Sequence, residues 1–173
     1  TTLTEVMKTA KIGEIATIGG RYYAMDRNNV WERTKKMYDA MVKGEGEKTR
    51  DALKAITESY KKKVTDEMIV PTVVVDKKDQ PIGTVKEGDG VIFFNYRPDR
   101  ARQLAQAFVL PQFKGFDRGE KIKDLYFATM MEYEKGLPAE VAFPPELITM
   151  PLARVIAEEG LTQYHIAETE KYA

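Results

Sequence analysis

The sequence predicts an α/β fold of three layers, a mainly parallel sheet flanked by helices. Three observations lead there. Short apolar runs, "PTVVVD" at 71–76, "GVIFFN" at 90–95 and "DLYFATMM" at 124–131, have the length and composition of buried strands. Segments between them carry apolar residues at helical spacing. The two patterns alternate along the chain, which favours parallel strands joined by helical crossovers.

Each element follows from its own local signals. Thr4 can cap a short helix carrying Val6, Met7 and Ala10, which ends near Gly13. "EIATIGG" then reads as a short strand that stops at Gly19 and Gly20. From Val30, apolar groups recur at Thr34 (through its methyl), Met37, Tyr38 and Met41, and Gly44 closes that helix. A second helix over 50–62 puts Leu53, Ile56 and Tyr60 on one face, and the lysines at 61–63 read as its solvated end. "GVIFFN" is apolar on both faces and is expected at the centre of a sheet. Beyond it, Pro98 suits the first helical position, and Ala101, Leu104, Ala105, Phe108 and Val109 form a buried stripe. "DRGEK" at 117–121 reads as a charged surface turn. Thr149 and Pro151 open a last helix with Leu152, Val155 and Ile156 inward and Gly160 just past its end. "YHIAE" follows as a short strand.

Composition narrows the functional classes. The 173 residues suit one domain with a core of ordinary size. Lys plus Arg and Asp plus Glu both number 27, so the net charge is zero, which argues against a general binder of nucleic acid or anionic membranes. Any positive site must be local. No apolar run approaches the roughly 18 residues of a membrane span, and the N-terminus lacks a signal-peptide pattern. There is no cysteine, so disulfides, thiolate nucleophiles and thiolate metal sites are excluded. A cytoplasmic location is expected.

Two loops concentrate positive charge at strand ends. In "NYRPDR", Arg97 precedes a proline and is therefore extended or in a turn, while Asp99 and Arg100 fall in the first turn of the following helix. Asp99 suits the positive end of the helix dipole, but two arginines there oppose it. An anion held by backbone N–H groups and guanidinium forks would offset that cost. The alternative is that both arginines pair with Asp99, Asp26 or other acids at the surface. In "GGRYYAMDRNNVWER" at 19–33, glycines again end a strand, Arg21 follows at once and Arg27 sits before a helix. Asp26, Asn28 and Asn29 are cap and turn formers, and Tyr22, Tyr23 and Trp31 can pack beneath. A plain strand-to-helix turn with solvated charges is the other reading. His165, the single histidine, reads as structural, and no nucleophile, phosphate-loop or paired-histidine metal motif is present.

"GGRYYAMDR…WER", "GEG", "NYRPDRARQL" and the closing "HIAETEKY" closely resemble the 2,3-bisphosphoglycerate-independent phosphoglycerate mutases, in order along essentially the whole chain. The resemblance implies a phosphatase-like domain of the alkaline-phosphatase superfamily, with two manganese ions and a transiently phosphorylated serine. It also implies an inserted domain that grips 3-phosphoglycerate or 2-phosphoglycerate. It places Arg21, Arg27, Arg97 and Arg100 in the grip, with Pro98 and Asp99 inside the same loop motif. Lys171 would reach the substrate phosphate from the phosphatase side. The serine segment, the metal ligands and an upstream Gly-Arg-Asp motif do not occur here. The expectation is therefore an interior piece of a monomeric enzyme. In it, 1–146 would form part of the inserted domain and 147–173 would return towards the phosphatase-like domain. Alone, it would be inactive, with no catalytic residue and no metal ligand. A non-catalytic anion-binding module and a related metal-dependent phosphohydrolase are the alternatives.

Overall fold

Two three-stranded sheets organise the chain in a computed structural model that describes residues 2–146 and 148–167. In the first, β1 (Thr17–Ile18) runs antiparallel to β3 (Thr72–Val74), with Thr17 opposite Val73, and β2 (Glu47–Thr49) runs parallel to β3 on its other side. In the second, β4 (Gly90–Phe93), β5 (Tyr126–Thr129) and β6 (Glu140–Val141) are all parallel, in that order. The α/β class and its mainly parallel pairing are as the sequence predicts, with the strands divided between two sheets.

Six α-helices are described: α1 (Thr2–Ala10), α2 (Arg21–Ala24), α3 (Trp31–Val42), α4 (Ala52–Lys61), α5 (Pro98–Val109) and α6 (Leu152–Glu158), with a 3-10 turn at Asp66–Met68. Helix α4 starts where Asp51 accepts hydrogen bonds from the N–H groups of Leu53 and Lys54, satisfying two donors the helix leaves open. Its face is only partly covered, because Leu53 and Tyr60 stay exposed. Thr4 lies inside α1 rather than capping it, and the exit turn uses Gly13 at φ +79°. None of these helices is long and apolar enough to cross a membrane.

The core forms where α3 and α5 meet the second sheet. The stripe of Ala101, Leu104, Ala105, Phe108 and Val109 is buried, together with Met37, Tyr38, Phe127 and Tyr133. Phe108 packs between Tyr38 and Phe127, at ring-centroid distances of 5.1 and 5.6 Å. Burying a side chain of that size contributes about 1.5–3 kcal/mol. Tyr133 braces the exit from β4: its hydroxyl hydrogen-bonds the carbonyls of Phe93 and Asn95, and its own carbonyl accepts from Arg102 Nε at 2.8 Å. Burial pushes the Tyr133 phenol up to about 12. These bonds fix the turn that leads from β4 into α5.

Four expectations need correction. Strand β4 is at a sheet edge, and only Val91 and Phe93 face the core; Ile92 and Phe94 are each 73% exposed. Its apolar outer side therefore has no covering layer among the described residues. Helix α6 buries no residue, and Leu152 and Val155 are exposed, because nothing described lies across from them. Residues 161–167 form no strand, so "YHIAE" is not one as far as Ala167. Finally, "DRGEK" is more than a surface turn. Arg118 is buried, with its guanidinium donating to the carbonyls of Ala107 and Leu110 at the end of α5. Those are the acceptors a helix C-terminus leaves unpaired.

Candidate functional site

Both arginine loops converge on the N-terminus of α5. Arg97 occupies the extended position before the helix, at φ −80° and ψ 128°, and Pro98 takes the first helical position as its ring geometry favours. Asp99 is buried and held between two loops. Its Oδ2 accepts from Arg27 Nη1 at 3.0 Å, and its Oδ1 lies 3.6 Å from Arg97 Nε. Among the described residues Arg100 pairs with no acid. It donates through Nη1 to the Met25 carbonyl at 3.0 Å and so ties α5 to the same loop that carries Arg27.

The charge balance at this corner is uneven. One buried carboxylate faces two guanidinium groups, while Arg100 keeps its charge on a neutral carbonyl. Arg97 is 80% exposed, and its contact with Asp99 is long, so its fork points into solvent. The pairing alternative for Arg97 and Arg100 thus holds loosely for Arg97 and, among the described residues, not for Arg100, while Arg27 is paired with Asp99 instead of being a solvated charge of a plain turn.

Arg21 stands apart from that group. At the first residue of α2 it pairs with Glu67 on the 3-10 turn at 3.1 Å, with both side chains about half exposed. A pair of that kind is worth at most about 1 kcal/mol, so it gives way to a better ligand at small cost. The glycines before it serve the fold directly: a Cβ on Gly20 would lie 2.2 Å from the Glu67 carbonyl oxygen. The close approach there is made by the 3-10 turn's backbone.

Beneath the arginines lies a polar network that sequence reasoning only half found. Asp26, an expected turn former, is buried. Its Oδ2 accepts from the N–H groups of Asn28 and Val30 at 3.0 and 2.9 Å, and its Oδ1 from Arg33 Nη1 at 3.1 Å. Arg33 in turn lies over the Tyr22 ring at 3.9 Å, a cation–π contact. Trp31 packs elsewhere, edge-on to Phe113. Gln103 was missed. Buried on α5, it donates through Nε2 to Asp26 Oδ2 at 3.1 Å and to Thr34 Oγ1 at 3.3 Å, and accepts from the Asn29 N–H at 3.0 Å. The available signal was a glutamine one turn after Asp99 on a helix face otherwise made of alanine, leucine and phenylalanine.

The remaining candidates lie away from this corner. His165 is exposed, with Nε2 2.8 Å from the Gln163 side-chain oxygen. Lys171 lies outside the described residues. Among the described residues no group of three His, Asp or Glu side chains is arranged to hold a metal ion. Two surface depressions, of about 780 and 920 Å³, border β2 with α4 and α1 with β3 respectively, and neither includes the arginines of the α5 corner.

Residues 1–135 match the family described as "BPG-independent PGAM N-terminus". The 2,3-bisphosphoglycerate-independent phosphoglycerate mutase of Thermomicrobium roseum is 53% identical over 164 residues, covering 94% of this chain and 31% of the relative. That of Chloroflexus aurantiacus is 48% identical over 191 residues, covering 99% of this chain and 35% of the relative. A solved structure of phosphoglycerate mutase from Leishmania mexicana, obtained at low cobalt concentration, superposes with a TM-score of 0.81 at 31% identity. It covers 92% of this chain and 31% of that one. The chain therefore spans about a third of the length of the curated relatives it matches.

Proposed function

The chain belongs to the family of 2,3-bisphosphoglycerate-independent phosphoglycerate mutases, and from that premise we propose that it is the substrate-gripping part of such an enzyme, which interconverts 3-phosphoglycerate and 2-phosphoglycerate through a phosphoserine. Residues 1–146 belong in this reading to the gripping domain and 147–173 to the segment returning towards the catalytic domain. Arg21, Arg27, Arg97 and Arg100 hold the carboxylate and phosphate of the substrate, the Pro98–Asp99 turn presents them, and Lys171 joins at the phosphate. The observation that carries the reading is the buried Asp99, which draws Arg27 and Arg97 from separate loops to the helix end where Arg100 also stands.

The chemistry these residues supply is binding and orientation. A guanidinium stays charged at any working pH and meets a carboxylate or phosphate with two parallel hydrogen bonds. Such charge-assisted bonds contribute on the order of 1.5–3 kcal/mol each. The N-terminal N–H groups of α5 add a favourable field for an anion. The described residues give manganese no cluster of ligands. The two ions and the serine belong, in this reading, to the remainder of a polypeptide that acts as a monomer in the cytoplasm.

The test is an NMR titration of the 173-residue chain with 3-phosphoglycerate. A clamp open to water should bind at around millimolar, about −4 kcal/mol, with shifts centred on Arg27, Arg97 and Arg100 and weakened by salt. Arg97→Lys keeps the charge but loses the fork, and should weaken binding severalfold. A titration that leaves both arginine loops unmoved overturns the reading.

A further inference from the structure

The arginines lie on two segments far apart in sequence, and their grip depends on how those segments are registered against each other. Arg27 belongs to the loop before α3, whereas Arg97 and Arg100 belong to the start of α5. Two of the links between them, Arg27 to Asp99 and Arg100 to the Met25 carbonyl, use the arginines themselves. A ligand that engages those guanidinium groups competes with both links. A register that survives ligand binding needs a link that uses no arginine.

We infer that Gln103 is that link: a positioning residue whose buried amide latches the 26–30 loop onto α5 and so sets the spacing between Arg27 and the Arg97–Arg100 pair. This rests on the clamp reading above. The amide is used in full, with both N–H donors and the carbonyl engaged, and the partners lie on the loop (Asp26, Asn29) and on α3 (Thr34). Asp26 is the loop's own organiser, since the same Oδ2 that accepts from Gln103 also accepts from Asn28 and Val30. Loss of the amide therefore removes a donor from a buried carboxylate, and an apolar replacement also leaves the Asn29 N–H without an acceptor. Both are costly in a site shielded from water, so the loop shifts rather than keep them. Gln103 and Asp99 are one helical turn apart on the same buried face of α5, which places the latch directly behind the arginine-holding carboxylate.

The experiment uses the 173-residue chain and sulfate, whose charge is constant over the pH range, with affinity read from arginine Hε resonances. Gln103→Leu keeps the bulk and removes every hydrogen bond; it should weaken sulfate binding about tenfold, the loss expected when a buried amide network is broken. Gln103→Glu tests the hydrogen bond itself. The introduced carboxylate would face Asp26 and Thr34, with Arg33 on the far Asp26 oxygen and Asp99 one turn back on α5. Near neutral pH the introduced carboxylate and that of Asp26 repel, and binding should be weak. When the pH is lowered to about 5, any protonation of the introduced carboxyl rebuilds a donor towards the Asp26 oxygen, and affinity should recover at least about threefold relative to the wild-type chain at the same pH. A purely packing role predicts no such recovery. If Gln103→Leu does not fold, the Gln103→Glu profile decides alone. Wild-type-like affinity in Gln103→Leu, or a Gln103→Glu variant equally weak at both pH values, overturns the latch. A wild-type chain that binds no sulfate is a different failure: it removes the clamp itself, and the latch with it.

Discussion

Helices α5 and α6 open on nearly the same local arrangement and end in opposite surroundings. Each is entered through an extended residue with a proline at the boundary, Arg97 before Pro98 in one and Pro151 before Leu152 in the other. Each carries apolar residues at helical spacing. Yet α5 buries Ala101, Gln103, Leu104, Ala105, Ala107, Phe108 and Val109, while α6 buries none of its residues. Proline geometry and apolar periodicity decide where a helix begins and which side is apolar. Whether that side is covered depends on what lies across from it. Across α5 stand α3 and the second sheet.

The largest expected effect tests that difference at its centre. Phe108 is 2% exposed and wedged between Tyr38 and Phe127. Phe108→Ala should destabilise the chain by about 3–5 kcal/mol, since the surroundings cannot collapse fully into the space. Denaturant unfolding followed by circular dichroism would show it as a lower midpoint with an unchanged slope. A loss below about 1 kcal/mol would mean that α5 is no better covered than α6.

How much of this was legible follows the same line. The stripe on α5, the Pro98 start, the strands β3 and β5 and the arginine loops were readable, because each rests on neighbours in sequence. The edge position of β4 was not, since strand order is a property of the whole sheet; its sequence is apolar on both sides while one side faces solvent. Nor was the cradle of Asp26 and Gln103, which joins residues 77 positions apart. Asp26 could be read as a turn former, but its partner on α5 could not. The charged run at 117–121 points to a surface turn, and only the fold brings Arg118 to the end of α5.

That arginine gives the intermediate effect. Burial holds the Arg118 guanidinium below its ordinary range, so placing the charge there carries a desolvation cost. Against this, it supplies two donors to the carbonyls of Ala107 and Leu110. Arg118→Leu relieves the desolvation but strands both acceptors, and the penalty for those should prevail by about 1–2 kcal/mol. Amide hydrogen exchange should show the loss at the last turn of α5 first, with its N-terminal turn little affected. Equal acceleration along the helix would place Arg118 in the general core instead of at the cap.

The smallest expected effect lies on α6. Leu152 is 73% exposed, and the helix is held mainly by local contacts: Arg154 pairs with Glu158 at 2.7 Å and donates to the Thr149 carbonyl at 3.1 Å. Leu152→Ser removes an apolar side chain that touches little and costs a small amount of helix propensity, so stability should change by less than about 0.5 kcal/mol. In a domain of this size that corresponds to about 1–2 °C in the melting midpoint. The measurement is made at two protein concentrations about a hundredfold apart, so that association shows as a concentration-dependent midpoint. If the apolar side of α6 were covered by a second copy in solution, the wild-type midpoint would rise with concentration and the serine variant would lose that rise. Coincident melts for both proteins at both concentrations would leave α6 as an uncovered helix in this chain. A midpoint lowered by about 5 °C or more would show that it has found a partner surface, and the contrast with α5 would be lost.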